Sequence, residues 1–159
     1  MTKYNLINTN GYGWAGMPPS VLAERLSLAK KRFKKLLKSE NFDAIAFSGS
    51  SGCALAFSIA ATLTMPLIYV RKQGEKSHGS MVECNNYKKE IKTYLIVDDF
   101  VDTGNTVEYI VERIKEFTSK QGAFPAKPIG VLCFDPYQHR DMKNNVLNLT
   151  LYTSNERCS

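Results

Sequence analysis

Residues 95–107 read LIVDDFVDTGNTV, and this stretch decides both the fold and the chemistry of the chain. The apolar residues from Thr93 to Val97 predict a buried strand, and apolar residues at helical spacing predict a helix from about Asn105 to Lys120. Two adjacent acids and a short glycine turn lie between these elements. In open α/β sheets, ligands bind beyond the carboxyl ends of the strands, so we expect a ligand site at this turn.

The turn has the features of a phosphate site. A glycine turn that runs into a helix N-terminus presents free N–H groups and the positive end of the helix dipole, and Thr103 and Thr106 add hydroxyl donors. Asp98 and Asp99 are poor neighbours for a phosphate, so they predict another partner, either sugar hydroxyls or a magnesium ion. The alternative is that Asp102 only caps the helix and that the acid pair is a solvated strand end.

Strands and helices alternate along the rest of the chain. Near-continuous apolar strands in such an alternation predict an α/β fold with a mainly parallel sheet flanked by helices. The predicted elements are a helix from about Val21 to Ser39 capped by Ser20, a strand Ala44–Phe47, a turn Ser48–Gly52, a small-residue helix Cys53–Thr64, a strand Leu67–Val70, a long mobile loop over 71–92, a strand Ile129–Phe134 and a fifth strand from Leu147 to Tyr152.

Length and composition fit one globular domain. The chain has 159 residues, of which 43% are hydrophobic and 23% charged. It has no run of about 18 apolar residues that could span a membrane, and its N-terminus lacks the apolar core of a signal peptide. The four scattered cysteines form no Cys-x-x-Cys pair, and two histidines offer few zinc ligands. We therefore expect a single domain over residues 1–159, in the cytoplasm.

The first predicted helix carries a run of basic residues whose summed charge equals the net charge of the chain, +6. This run lies on a segment with a clear apolar stripe, so we interpret it as a solvated helix face, and nucleic acid is not the expected partner. The run consists of Lys30, Lys31, Arg32, Lys34, Lys35 and Lys38.

Residues 95–107 resemble the phosphoribosyl pyrophosphate (PRPP) motif of type I phosphoribosyltransferases. The resemblance implies that fold, with a core over about residues 20–135 and a small variable hood from residues 1–19, 135–159 or both. It implies that Asp98 and Asp99 bind the ribose hydroxyls and a magnesium ion, the metal through water. The residues that would bind the 5′-phosphate are Asp102, Thr103, Gly104, Asn105 and Thr106.

Two further segments carry the same resemblance. The turn Ser48–Gly52 occupies the place of the family's pyrophosphate loop, which gives this role to Ser50, Ser51 and Gly52. Residues 71–79, Arg-Lys-Gln-Gly-Glu-Lys-Ser-His-Gly, are similar to the flexible catalytic loop of orotate phosphoribosyltransferases, Arg-Lys-x-x-Lys-x-His-Gly. Here one extra residue separates Lys72 from Lys76. In similar enzymes this loop crosses to a neighbouring subunit, so the resemblance also implies a homodimer.

The charges of this loop suit the reaction. Breaking the ribose C1–O bond leaves positive charge on the sugar and negative charge on pyrophosphate, and cations that close over the leaving group stabilise that separation. Arg71 and Lys72 would hold pyrophosphate, while Lys76 and His78 would act in catalysis, and His78 has the chemistry to donate a proton. The alternative is a charged surface loop with an incidental histidine.

The acceptor base stays open. The loop resembles orotate enzymes, whereas Asp102 in Asp-Thr-Gly resembles the 6-oxopurine enzymes, in which that acid is the proton acceptor. Three aromatic side chains could stack on a base: Trp14, Phe134 and Tyr137. Asp135 and His139 lie near the last two in the sequence and could read the edge of the base. The alternative is that all of these are ordinary loop and packing residues.

The leading function is therefore a magnesium-dependent pentosyltransferase that moves 5-phosphoribose from PRPP to a nitrogenous base and releases pyrophosphate. The alternative is a non-catalytic regulator that senses PRPP or a nucleotide and binds RNA or DNA through the basic helix. A sensor needs the PRPP motif but not the cations of residues 71–78, so these favour an enzyme. An inactive homologue is a third possibility, against which the intact acid pair argues.

Overall fold

The computed structural model describes residues 17–75, 79–85, 90–99, 101, 103–122, 125–133 and 149–153. Within them, three helices and six strands follow one another along the chain. Their bounds are α1 Pro19–Glu40, β1 Ala44–Ser48, α2 Gly49–Leu63, β2 Leu67–Val70, β3 Val82–Cys84, β4 Thr93–Val97, α3 Asn105–Lys120, β5 Lys127–Cys133 and β6 Thr150–Thr153.

The strands form one sheet in the order β3-β2-β1-β4-β5-β6. All neighbouring pairs are parallel except β2 and β3, which are antiparallel. The predicted α/β fold with a mainly parallel sheet is therefore confirmed. The chain leaves β1 toward β2 on one side and returns to β4 on the other, so the point where strand order reverses lies between β1 and β4. Crevices that bind ligands form at such points.

Helices cover both faces of the sheet. Ile45 and Phe47 of β1 pack with residues of α1 and α2, while Ala44 and Ala46 pack on the opposite face with residues of α3. All five residues of β1 are buried. This two-sided burial explains why the strand is apolar from Ala44 to Phe47 instead of alternating.

The carboxylate of Asp43 joins the beginnings of the two central strands. Its Oδ2 accepts hydrogen bonds from the backbone N–H of Lys92 at 3.0 Å and of Thr93 at 3.1 Å, and from the Thr93 hydroxyl at 3.3 Å. The Asp43 N–H in turn donates to the Thr93 carbonyl at 3.0 Å. β4 is thereby held beside β1 where both strands enter the sheet.

Two helix starts differ from the sequence prediction. The capping role of Ser20 is wrong, because α1 begins at Pro19 and no side chain caps it. Proline is favoured at the first helical position, where its missing N–H costs nothing. α2 begins at Gly49 and not at Cys53, so the predicted turn over Ser48–Gly52 is largely the first turn of this helix.

The segment over 71–92 is not all loop, because it contains β3. This strand pairs with β2 in the register Ile68↔Cys84, Tyr69↔Glu83 and Val70↔Val82. Three residues are too few to show a two-residue periodicity, so the sequence gives no signal for it. The sheet accordingly has six strands where five were predicted, and the last is Thr150–Thr153 instead of Leu147 to Tyr152.

Among the described residues, no helix is both long and apolar enough to cross a membrane.

Candidate functional site

The site lies at the carboxyl ends of β1 and β4, which are neighbours in the sheet. α2 begins directly after β1, and α3 begins a few residues after β4. Two helix N-termini therefore lie beyond the same edge of the sheet. Helix N-termini present unpaired N–H groups and the positive end of the helix dipole, so this edge suits a ligand with more than one negative group.

Gly52 lets the first turn of α2 approach the end of β4. A Cβ at this position would lie 2.7 Å from the carbonyl oxygen of Val97 and 3.0 Å from the Cβ of Phe47. It would also lie 3.7 Å from the Cα of Asp98. Because Gly52 has no side chain, the first turn of α2 can pack directly against the end of β4 and the acid pair that follows it.

Lys72 reaches the same place from the end of β2. Its Nζ lies 2.9 Å from the position that a Cβ on Gly49 would occupy, and Gly49 has a φ of +59°. The positive charge of Lys72 also favours the ionised form of Asp98. An ammonium group, the first turn of α2 and a buried acid therefore share one corner of the site.

Asp98 and Asp99 are buried, with 5% of each residue exposed. The Asp98 N–H donates to the Leu132 carbonyl at 3.0 Å, and the Asp99 N–H donates to Asp98 Oδ1 at 2.9 Å. Burial, followed by the negative charge of Asp99, raises the pKa of Asp98 to about 8. Two carboxyls this close in a buried position cannot both ionise without a positive partner.

The start of α3 forms the other end of the site. Gly104 is its N-cap residue, with φ +88°, and has no side chain with which to cap the helix. The Asn105 N–H donates to Thr103 Oγ1 at 3.4 Å, and the Glu108 N–H to the Gly104 carbonyl at 3.0 Å. Thr103, Asn105 and Thr106 are exposed. These residues offer uncapped N–H groups and hydroxyls to an anion from solvent.

A family model described as "Phosphoribosyl transferase domain" matches residues 20–134. The chain belongs to this family of type I phosphoribosyltransferases. The recognition made from residues 95–107 is therefore confirmed.

Three relatives of the chain illustrate the range of the family. The purine biosynthesis transcriptional repressor PurR of Bacillus subtilis is 27% identical over 117 residues, which are 64% of this chain and 40% of the repressor. The orotate phosphoribosyltransferase of Sulfolobus acidocaldarius is 26% identical over 136 residues, 77% of this chain and 67% of that enzyme. The crystal structure of orotate phosphoribosyltransferase from Aeropyrum pernix superposes with a TM-score of 0.61 at 20% identity, over 86% of this chain and 72% of that one.

The chain therefore spans less than half the length of the repressor that it matches. The likeness to the Aeropyrum pernix structure, at 20% identity, shows the fold alone.

The chemistry of the acid pair fits the magnesium ion that the sequence suggests. Magnesium is commonly held by one or two carboxylates together with water and substrate phosphates, and not by a full protein cage. The described residues contain no group of three or more candidate metal ligands. A cation would also relieve the repulsion between Asp98 and Asp99.

Arg71 is held at the edge of the sheet. Its Nε and Nη2 donate to Glu83 Oε1 at 3.0 and 2.7 Å, and its guanidinium lies 5.3 Å from the centre of the Tyr69 ring. The hydrogen bond to Glu83 raises the pKa of Arg71, so the guanidinium stays charged. In the structure the partner of Arg71 is Glu83 of β3, and its role as a pyrophosphate ligand beside Lys72 stays a prediction.

Sequence reasoning missed Glu83 and Glu75, which partner residues next to the site. Glu83 bonds Arg71, and Glu75 bonds Tyr69 and the backbone of Lys72. The only available signal was the mixture of charges in residues 71–83, which does not specify pairs.

Several predicted residues lie outside the described part of the chain, so their roles stay predictions. These are Trp14, Lys76, His78, Asp102, Phe134 and Tyr137, with Asp135 and His139, and the side chain of Ser51. The described residues that the structure brings together are Gly52, Lys72, Asp98 and Asp99, and Ser50 is exposed in the first turn of α2.

Proposed function

We propose that this phosphoribosyltransferase moves 5-phosphoribose from PRPP to a nitrogenous base and releases pyrophosphate, with magnesium as its cofactor. The observation that carries the proposal is the meeting of Lys72, the first turn of α2 and the buried acid pair at the switch point of the sheet. PRPP has negative groups at both ends and hydroxyls between them, and this edge offers two helix N-termini with carboxylates between them.

Each part of the substrate has a matching group. Pyrophosphate lies on the first turn of α2 near Ser50, Ser51 and Gly52, where Lys72 stabilises its growing charge. The ribose hydroxyls donate to Asp98 and Asp99. The 5′-phosphate accepts from the N–H groups and hydroxyls of residues 103–106.

In the reaction the C1–O bond to pyrophosphate breaks and a C1–N bond to the base forms. The base nitrogen loses its proton, for which Asp102 is the acceptor if the substrate is a 6-oxopurine. Charge separates in the transition state, so cations near the leaving group lower the barrier more than they tighten binding of PRPP. We assign this role to Lys72, with Lys76 and His78 from the following loop. Asp98 and Asp99 would hold the magnesium ion, which would supply positive charge that stabilises the departing pyrophosphate.

The test is a panel of bases, orotate and the 6-oxopurines first, incubated with PRPP and magnesium while pyrophosphate release is followed. We expect one base class to support release, and Asp99→Asn to weaken PRPP binding and turnover while the circular dichroism spectrum is unchanged. Orotate turnover would agree with the loop, and 6-oxopurine turnover with Asp102. Failure of every base, or an Asp99→Asn variant as active as the wild type, would contradict the proposal.

A second candidate function is a PRPP- or nucleotide-sensing regulator that binds RNA or DNA. It is favoured by the similarity to a protein named as a transcriptional repressor and by exposed lysines on one face of α1. The same PRPP site would then bind an effector without turnover.

We further propose that the chain acts as a homodimer. An apolar cavity of about 810 Å³ lies beside α2, and its lining includes Phe47, Leu67 and Tyr69. Phe57, which is 56% exposed, stands at this cavity. We place the two-fold interface at Phe57, because an exposed aromatic ring beside an apolar cavity is a surface that a second copy can cover.

A further inference from the structure

Residues 72–75 form a tight turn at the root of the predicted catalytic loop. The Glu75 N–H donates to the Lys72 carbonyl at 3.1 Å, which closes a four-residue turn. Gly74 occupies its third position with a φ of +86°, the value that a type II turn requires there. The chain therefore returns close to Lys72 before it continues to Lys76.

The side chain of Glu75 fastens this turn to the sheet. Its Oε2 accepts hydrogen bonds from the Tyr69 hydroxyl at 2.9 Å and from the Lys72 N–H at 3.2 Å. The Tyr69 ring is stacked on Phe47, with centroids 5.1 Å apart, and Phe47 is buried in β1. One carboxylate thus connects the turn, through an aromatic pair, to the strand that ends at the site.

The protonation of Tyr69 suits this arrangement. Burial, followed by the hydrogen bond to Glu75 and the charge of Glu75, raises the pKa of the phenol. The hydroxyl therefore keeps its proton and donates to the carboxylate.

The turn also accounts for the extra residue between Lys72 and Lys76. The similar orotate loop has two residues between the corresponding lysines, and this chain has three. A four-residue turn brings its first and last Cα within about 7 Å, and the three residues that follow Lys72 all belong to this turn.

We propose that Glu75 is a positioning residue, whose carboxylate locks the turn 72–75 onto Tyr69 and thereby fixes Lys72 over the first turn of α2. This inference rests on the proposed function, because it assumes that Lys72 faces pyrophosphate. Glu75 itself does not touch the substrate. It acts by setting the backbone from which Lys72 extends.

The proposal and simple electrostatics predict opposite effects on pyrophosphate binding. Removal of a negative charge near an anion site should tighten binding of the anion. If Glu75 positions Lys72, Glu75→Ala should instead weaken binding, because the lysine loses its fixed backbone. Glu75→Gln keeps an oxygen that accepts from Tyr69 and Lys72, so it separates the hydrogen bonds from the charge.

Four variants test this in the full chain: Glu75→Ala, Glu75→Gln, Tyr69→Phe and the control Glu90→Ala. Glu90 is an exposed acid of the same segment, paired with Lys92 at 3.6 Å, and its removal changes the net charge equally. The readouts are calorimetric affinity for inorganic pyrophosphate with magnesium, hydrogen exchange of the amides of residues 72 and 75 without ligand, and steady-state kinetics.

We expect Glu75→Ala to speed exchange of these amides and to weaken pyrophosphate binding, each roughly 3- to 10-fold, as loss of one or two hydrogen bonds implies. Its kcat should fall while the KM for the base stays near the wild-type value. Tyr69→Phe should show a smaller change of the same sign, and Glu75→Gln and Glu90→Ala should match or exceed the wild-type affinity.

Unchanged hydrogen exchange in Glu75→Ala would show that the Glu75 carboxylate does not hold the turn 72–75. Wild-type or tighter pyrophosphate binding in that variant would show that Glu75 does not position Lys72. Failure of the proposed function gives a different pattern. The wild type would then release no pyrophosphate with any base, while exchange and pyrophosphate affinity still respond to Glu75→Ala as expected.

Discussion

Lys72 lies across the backbone of Gly49, with its Nζ 2.9 Å from the point that a Cβ on residue 49 would occupy. Gly49 has no side chain to block it, and its φ of +59° is a value that glycine adopts without strain. The end of β2 and the start of α2 are therefore fitted together by one glycine. In the proposed reaction this contact puts an ammonium group on the pyrophosphate.

Gly49→Ala should displace Lys72 and weaken inorganic pyrophosphate binding about tenfold, since a hydrogen bond to a charged group is worth about 1.5 kcal/mol or more. Gly122→Ala is the matched control, because Gly122 also has a positive φ, +69°, but open space around it. Both variants should lose about 1 kcal/mol of stability from backbone strain. Calorimetry that shows equal pyrophosphate affinity in the two variants would refute the role of Gly49.

Gly52→Ala should lower the free energy of unfolding by about 2 kcal/mol, as overpacking does. The added Cβ would meet the Val97 carbonyl at 2.7 Å, and a backbone atom of a central strand cannot move aside cheaply. Gly79→Ala is the control, since nothing lies within 4 Å of a Cβ there. Urea denaturation measures both, and equal midpoints would show that α2 can shift away from β4.

Asp98 should make the protein less stable as pH rises, when no metal is present. Its pKa is about 8 in the folded protein and 3.8 as the ordinary value, so between these values the folded state keeps a proton that the unfolded chain releases. The contribution of this proton to the free energy of unfolding is fully present below pH 3.8. It is lost as pH rises through 8, by at most about 1.4 kcal/mol per pH unit. Denaturation in chelator from pH 5 to 8 should show this slope in the wild type but not in Asp98→Asn. Parallel curves would contradict it.

Reversal of Lys31, Lys34 and Lys35 to Glu should leave phosphoribosyl transfer unchanged. These residues and Lys38 are exposed on α1, and their spacing puts them on one face, where no ion pair joins them within the described residues. Filter binding of RNA and DNA at several salt concentrations decides the alternative function. A salt-sensitive, sub-micromolar affinity that the reversal abolishes would favour the regulator.

Phe57→Lys should convert a dimer into monomers. The substitution puts a charge at the apolar cavity where we place the second copy. Val21→Lys is the control, because Val21 is the other exposed large hydrophobic residue among those described, at 37%. Sedimentation should give a dimer for the wild type and for Val21→Lys. A wild type that is monomeric at tens of micromolar would refute the proposed interface.

Some elements could be predicted with the correct bounds because their signals are local. β2 and β4 are short apolar runs, and α3 has apolar residues at helical spacing up to Lys120. The acid pair and the glycine turn follow from the same local pattern. The start of α2 was placed four residues late, because a run of serine and glycine has low helix propensity and begins a helix here only by packing on β4.

Pairings across the sheet could not be predicted. The bond between Arg71 and Glu83 depends on β3, whose register places Glu83 opposite Tyr69. The contact of Lys72 with Gly49 depends on β2 lying beside β1, which no residue in either segment reveals. The sequence shows which residues have suitable chemistry, but strand order decides which of them meet.

The hydrogen bonds between Asp43 and Thr93 have a consequence for synthesis of the protein. Asp43 and Thr93 are 50 residues apart in sequence, and closing such a loop costs entropy before the strand pair repays it. At about 5–20 residues per second, a ribosome makes Thr93 roughly 3 to 10 seconds after Asp43. Throughout that interval the edge of β1 that will receive β4 has no partner in the nascent chain. A ribosome that slows between these two codons would prolong the exposure of an apolar strand edge, so translation speed over this stretch bears on the yield of folded protein.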